Sequence, residues 1–131
     1  MGNHIEKFFN SNAFAVIGAS TNRNKFGNKV LRCYIQNNKT VYAVNPNEAV
    51  IEGVKCYPSL SDLPDEVESI SIITPPSTTE KIVDQAIEKG IKNIWMQPGA
   101  DSLIAVKNCE SHHINVIAGG PCILVYFGFK E

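Results

Sequence analysis

The chain has 131 residues, 44% of them hydrophobic and 19% charged, with a formal net charge of −1. That length supports one core-bearing unit, so residues 1–131 are expected to form a single domain. A near-neutral balance without a run of Lys or Arg excludes an electrostatic footprint for nucleic acid. No apolar stretch approaches the roughly 20 residues that a membrane-crossing helix needs.

The four cysteines, Cys33, Cys56, Cys109 and Cys122, are scattered, with no Cys-x-x-Cys pair and no metal-ligand spacing. They read as reduced thiols, and no metal site is expected. The opening Met-Gly-Asn-His-Ile-Glu has no apolar leader, and Glu6 stands where a myristoylation start requires Ser or Thr. A cytoplasmic location follows as the expectation.

In chain order, Ile5, Phe8 and Phe9 fall at helical spacing and predict a short helix over residues 3–10. Residues 13–17, Ala-Phe-Ala-Val-Ile, read as a buried strand that stops at Gly18. Small and polar residues follow, and amphipathic spacing runs from Asn28 to Asn37, with Val30, Leu31, Tyr34 and Ile35 on one face. A strand, a loop with free backbone N–H groups and a helix start form a phosphate-binding junction. Gly18, Ala19 and Ser20 allow close backbone approach, and the helix start adds unpaired donors and about half a positive charge.

Val41 to Val44 predicts the second strand, ended by Asn45-Pro46-Asn47, because proline supplies no ladder donor. Ala49 to Ile51 fits a brief edge strand. Gly53 and Pro58 punctuate a loop leading to at most one helical turn at Ser61-Asp62-Leu63-Pro64. Ser69 to Ile73 is a third core strand, cut off by Pro75-Pro76. Ser77 and Glu80 have capping-box spacing for the next helix, whose buried stripe is Ile82, Val83, Ala86 and Ile87 and whose C-cap is Gly90. Lys92 to Met96 is a strand broken by Gln97-Pro98-Gly99. Asp101 would cap a helix to about Ser111 that buries Leu103, Ile104 and Val106, and Ile114 to Ala118 is the last strand. Cys122 to Phe127 fits either a final strand or a short docked helix.

Strands alternating with helices through short loops imply an α/β fold: a doubly wound parallel sheet of five or six strands with helices on both faces. Ligands in such sheets sit outside the carboxyl ends of the strands. Here those ends are Gly18-Ala19-Ser20, Asn45-Pro46, Thr74-Pro75-Pro76 and Gln97-Pro98-Gly99. A nicotinamide dinucleotide is disfavoured. The glycines are not spaced G-x-G-x-x-G, since the next after Gly18 is Gly27, and no Asp or Glu ends the second strand at Asn45.

Val16-Ile17-Gly18-Ala19-Ser20, Val44-Asn45-Pro46, Gly53 with Tyr57-Pro58-Ser59-Leu60, and Ile94-Trp95-Met96-Gln97-Pro98-Gly99-Ala100 occur in this order. With them the chain resembles the small stand-alone CoA-binding proteins, whose domain is similar to the CoA-binding domain of the succinyl-CoA synthetase alpha subunit. The resemblance covers about residues 12 to 125. It implies a Rossmann-like fold and coenzyme A, or an acyl-CoA, bound across the strand ends, and it implies no reaction. Carried over by position, Gly18, Ala19 and Ser20 would hold the pyrophosphate. Asn45 and Pro46 would border the adenosine, Thr74, Pro75 and Pro76 would wall the other side, and Gln97, Pro98 and Gly99 would lie near the pantetheine. Asn22, Arg23, Lys25, Phe26 and Gly27 complete the cradle, with Arg23, Lys25 and Lys29 as candidate cations for the 3′-phosphate.

The chain departs from that family's pattern in three places. Phe26-Gly27-Asn28 replaces a Ser-Tyr-Arg-like segment, and Asn47 stands where a basic residue commonly follows Asn-Pro. Ala118-Gly119-Gly120-Pro121-Cys122 replaces an Asp-Arg-Cys ending. The positive groups that the family's pattern carries there are therefore missing, which bears on the 3′-phosphate contact and so on preference for CoA over dephospho-CoA or another nucleotide.

Other candidates for chemistry have plainer readings. His112-His113 suits the negative end of a helix, and Asp62, Asp65, Glu66 and Glu68 suit a solvated loop. Trp95 and Met96 suit a core, and Ser20 lacks a His–Asp pair in its sequence context. Cys122, after the last strand, is either a buried inert thiol or a partner for mixed-disulfide exchange with a CoA thiol. The leading expectation is therefore a non-catalytic CoA-binding module, with no catalytic residues and with a protein partner or a homodimer possible. The alternatives are an NAD(P)- or other nucleotide-binding enzyme, a subunit of an acyl-CoA-handling enzyme, or a fold that has lost its ligand.

Overall fold

The computed structural model of the chain describes the backbone of residues 2–131 and the side chains from His4 onward. The strand of residues Ala13–Ile17 (β1) is buried at all five positions because it lies mid-sheet and is covered on both faces. After the helix Gly2–Phe8 (α1) and β1 come the helix Phe26–Gln36 (α2) and the strands Val41–Val44 (β2), Val50–Ile51 (β3) and Val54–Tyr57 (β4). A 3₁₀ turn, Leu60–Asp62, leads into Val67–Ile72 (β5) and then Pro76–Lys89 (α3). Asn93–Met96 (β6), Leu103–Ser111 (α4), Asn115–Ile117 (β7) and Ile123–Phe127 (α5) complete the chain.

The seven strands are ordered β3-β4-β2-β1-β5-β6-β7, and only β3 runs antiparallel to its neighbour. The sheet therefore exceeds the expected five or six strands. The extra one is β4, hidden in sequence between Gly53 and Pro58. Its ladder to β2, Ala43 opposite Cys56 and Val44 opposite Tyr57, supplies the order that local sequence does not advertise.

Period-two alternation along β1 divides the core between the two faces. Phe14 and Val16 pack with Val30, Leu31 and Tyr34 of α2, with Phe8 and with Ile123. Ala13, Ala15 and Ile17 pack with Val83 and Ala86 of α3 and with Ala105 and Cys109 of α4. Trp95 is fully buried on the α2 face, edge-on to Phe8 at 5.4 Å, and its indole N–H donates to the Pro121 carbonyl at 3.0 Å. The Ile123 N–H donates to Gln97 Oε1 at 3.0 Å. These two bonds pin the start of the last segment, which forms a docked helix rather than a strand.

Several helix details differ from the sequence expectation. Ser77 and Glu80 make no capping box, because the helix already begins at Pro76 with Pro75 as its N-cap. Glu80 instead accepts from Ser102 Oγ at 2.7 Å, tying α3 to the start of α4. Ser102, not Asp101, caps α4, accepting from the Ala105 N–H at 3.3 Å. That start turns Ala105 and Cys109 to the sheet and leaves Leu103 70% and Ile104 68% exposed, with Val106 half-buried. Ile35 likewise sits at the solvent edge of its helix. Gly90 caps α3 in the left-handed conformation, as its position predicts. Among the described residues no helix is long and apolar enough to cross a membrane.

Candidate functional site

The neighbours of β1 are β2 on one side and β5 on the other, so strand order reverses at the carboxyl end of β1. Such reversals open a crevice. The chain leaves β1 at Gly18 with φ +97°, and an added Cβ would lie 2.6 Å from the Ile73 carbonyl oxygen. A Cβ on Gly27 would collide with the Gly18 carbonyl oxygen. Both glycines are thus demanded by close packing of strand, loop and helix. This packing requirement stands beside the expected reason for Gly18, close approach to a ligand.

Polar side chains brace the loop from behind. Asn45 Nδ2 donates to the Ala19 carbonyl at 2.9 Å, and Asn28 Nδ2 donates to the Ser20 carbonyl at 2.8 Å. Ser20 Oγ accepts from the Asn22 N–H, and Asn22 Oδ1 accepts from the Asn24 N–H. Arg32, only 7% exposed, donates to Asn28 Oδ1 at 2.7 Å and to the Arg23 carbonyl at 3.0 Å. Glu52 closes the network, accepting from Asn28 Nδ2 at 3.0 Å and pairing with Arg23 at 2.6 Å. The Asn28 hydrogen bond, helped by the charge and hydrogen bond of Arg23 and then by the charge of Arg32, outweighs burial and holds the Glu52 carboxyl below its ordinary range.

The bracing occupies carbonyls and side chains but leaves a row of amides. The N–H groups of Ala19, Ser20 and Thr21, and those of Phe26 and Gly27 at the start of α2, have no acceptor among the described residues. They sit at the positive end of an eleven-residue helix. This is an arrangement suited to a phosphate or diphosphate.

A cavity opens on each side of this row. One of about 260 Å³ lies against α3, between Gly18, Asn45, Pro46, Ser59, Thr78 and Gln85, over a floor that includes Ile17, Val44 and Leu60. The other, of about 500 Å³, is bounded by Phe26, Thr74, Pro75, Pro98, Gly99 and Cys122. Thr74 belongs to both. A larger hollow of about 650 Å³ lies at the opposite end of the sheet, where His112 and His113 face Lys7 and Lys92. Beside it Asn115 donates to Asn93, Asn93 to Ser69, and Ser69 to the Phe8 carbonyl.

Of the residues singled out in sequence, Gly18, Asn45, Pro46 and Thr74 meet at the smaller cavity, and Phe26, Thr74, Pro75, Pro98 and Gly99 meet at the larger. Ala19, Ser20 and Gly27 form the loop between them. Arg23 turns to Glu52, Asn22 to its own loop, and neither lines either of these two cavities; nor do Lys25, Lys29 or the exposed Pro76. Gln97 is fully buried, with Oε1 on the Ile123 amide and Nε2 without a partner. It supports the segment carrying Cys122 from below rather than facing the cavity. Cys122 is half-buried and lines the larger cavity, whereas Cys33, Cys56 and Cys109 are buried. Burial pushes the Cys33 and Cys109 thiols up to about 11. No group of three His, Cys, Asp or Glu able to hold a metal comes together among the described residues.

Asn28, Arg32 and Glu52 were not foreseen. The spacing of Asn28 and Arg32, one helical turn apart, carries a signal, but Glu52 reaches them only through the β3–β4 hairpin. Thr78 and Gln85 were also missed, since a helix face turned to a cavity looks in sequence like one turned to water.

A family model described as a CoA binding domain matches residues 12–128. The chain belongs to the CoA binding domain family. It is 35% identical over 88 residues to an ADP-forming acetate–CoA ligase of Archaeoglobus fulgidus, a match spanning 67% of this chain and 13% of the ligase. The chain thus represents only a small part of such ligases. Among solved structures, a conserved hypothetical protein from Pyrococcus furiosus superposes with TM-score 0.82 at 37% identity, covering 87% of this chain and 97% of that one. A hypothetical protein from Pyrococcus horikoshii gives TM-score 0.87 at 30% identity, covering 95% and 87%. Both likenesses span most of a small protein, and the family has a Rossmann-like α/β architecture.

Proposed function

We propose that this chain binds coenzyme A or an acyl-CoA across the carboxyl ends of its strands and catalyses no reaction of its own. The observation that carries the reading is the row of unpaired amides from Ala19 to Thr21 and at Phe26–Gly27, flanked by two cavities that meet at Thr74. A ligand charged in its middle and extended at both ends suits that outline. The amides would take the diphosphate. Asn45 and Pro46 would border the adenosine in the smaller cavity, and Phe26, Pro75, Pro98 and Gly99 would border the pantetheine in the larger. The likeness to part of acetate–CoA ligases favours a second reading, a CoA-holding subunit that presents the thiol to a partner chain.

A thermal-shift panel of CoA, acetyl-CoA, NAD, NADP and ADP tests the proposal, because a ligand specific for the native state raises its melting temperature. CoA and acetyl-CoA are expected to raise it, and NAD and NADP to leave it unchanged. Ser20→Glu sets a like charge against the diphosphate and is expected to abolish the shift. Full CoA binding by that variant would overturn the assignment of the loop. A rise with NAD alone would replace CoA with a dinucleotide.

A further inference from the structure

The charges around the smaller cavity bear on whether the adenosine end of the ligand is read through its phosphate. We infer that the site does not read the ribose 3′-phosphate, so that dephospho-CoA and CoA are equivalent ligands. The inference rests on the adenosine occupying the cavity beside Asn45 and Pro46, as proposed.

None of the residues lining that cavity carries a charge. Asn47, which follows its Pro46 wall, gives its backbone N–H to Asn45 Oδ1 at 2.8 Å and offers no positive side chain. Three basic residues near the loop are engaged elsewhere. Arg23 is paired with Glu52 at 2.6 Å, and Lys29 with Glu131 at 3.4 Å. Arg32 is bound to Asn28 and to the Arg23 carbonyl and lies over the Phe129 ring, on the α2 side of the sheet.

On the α3 side, Lys89 flanks the adjoining groove but donates to the Ser61 carbonyl at 3.4 Å and pairs with Asp65 at 3.3 Å. Lys55 lies over the Tyr57 ring at 4.9 Å. Lys25 and Lys81 are exposed and line neither cavity. The charge that does approach the rim is negative, since Ser59, a lining residue, donates to Asp62 Oδ2 at 3.0 Å.

One charge-assisted contact to a phosphate is worth about tenfold in affinity or more. A 3′-phosphate that stays in water and meets only screened, distant cations gains far less. The loop amides, by contrast, engage the diphosphate that both ligands share. Selectivity therefore resides in the diphosphate and in the two cavities.

Isothermal titration of the full chain with CoA and with dephospho-CoA tests this inference. Dissociation constants agreeing within about threefold are expected. A larger preference for either ligand overturns the inference while leaving CoA binding intact. Binding of neither overturns the functional reading and this inference together. Asn47→Lys provides an independent arm, expected to tighten CoA by about tenfold and leave dephospho-CoA unchanged. An unchanged ratio in that variant would overturn the placement of the ribose beside Asn45 and Pro46.

Discussion

Gly18 and Gly99 have nearly the same positive φ, +97° and +94°, but differ in what surrounds them. An added Cβ at Gly99 meets nothing within 4 Å, whereas at Gly18 it lies 2.6 Å from the Ile73 carbonyl oxygen. Replacing each by Ala therefore separates conformational strain from steric conflict. The strain costs both variants about 1–2 kcal/mol. Gly18→Ala must also push Ile73 back by several tenths of an ångström, yet the Ile73 N–H is held by the Ile17 carbonyl at 2.9 Å. Forcing extra volume into such a contact costs a further 1–3 kcal/mol or about that. At about 4 °C per kcal/mol for a chain of this size, Gly99→Ala should lower Tm by about 4–8 °C and Gly18→Ala by about 8–20 °C. Far-UV circular dichroism on heating, with urea unfolding as a cross-check, measures both. Equal losses in the two variants would refute the argument that Gly18 is required by the Ile73 backbone.

Three further outcomes follow from the same geometry. Under native conditions near neutral pH, iodoacetamide should alkylate Cys122 first, because the other thiols are buried and raised; peptide mass mapping reads this, and CoA should slow it if the thiol end of the ligand fills the larger cavity. Asn28→Ala removes the donor to Ser20 and Glu52 and strips the buried Arg32 of an acceptor, so urea unfolding should show a loss of about 3 kcal/mol; a loss below about 1 kcal/mol would sink the bracing role. Glu52 has a lowered carboxyl in the fold, so its stabilising effect is complete above the unfolded carboxylate range of about 4.3 and is lost as pH falls through the lower folded value. Glu52→Gln should accordingly lower Tm at neutral pH and flatten the acid limb of the Tm–pH curve, and parallel curves for variant and wild type would contradict this.

The sequence was informative wherever one local rule decided the outcome. β1 and β2 have the boundaries expected from their apolar runs and from the Gly18 and Pro46 stops. It was uninformative where a distant partner decided. β4 exists because β2 offers it a ladder, and its Val-Lys-Cys-Tyr sequence between Gly53 and Pro58 has no strong pattern of its own. The ambiguity over Cys122 to Phe127 ended with the bonds from Trp95 and Gln97, two residues some 26 positions earlier. Capping failed for a subtler reason. Ser77–Glu80 and Asp101 both satisfy local spacing rules, but Glu80 and Ser102 meet across two helices and satisfy each other. At the site, the four strand ends were legible from Gly, Pro and Asn. The direction in which Arg23 points was not, because nothing near it in sequence reveals that Glu52 folds over the helix start.

The role of Asn45 bears most directly on the choice between CoA and a nicotinamide dinucleotide. In a dinucleotide fold, the end of the second strand presents a carboxylate whose two oxygens hold the ribose hydroxyls. Here Asn45 occupies the end of β2, and both ends of its amide are engaged: Nδ2 braces the Ala19 carbonyl and Oδ1 caps the Asn47 N–H. Breaking either bond to reach a ribose would release part of the loop that supports the amide row. The residue that stands where a diol would be read is thus also the one that braces the proposed diphosphate cradle, and it is a neutral amide with one N–H and one lone pair to spare rather than a carboxylate. A ligand held chiefly by its diphosphate and its two apolar flanks fits that constraint better than one selected by its ribose.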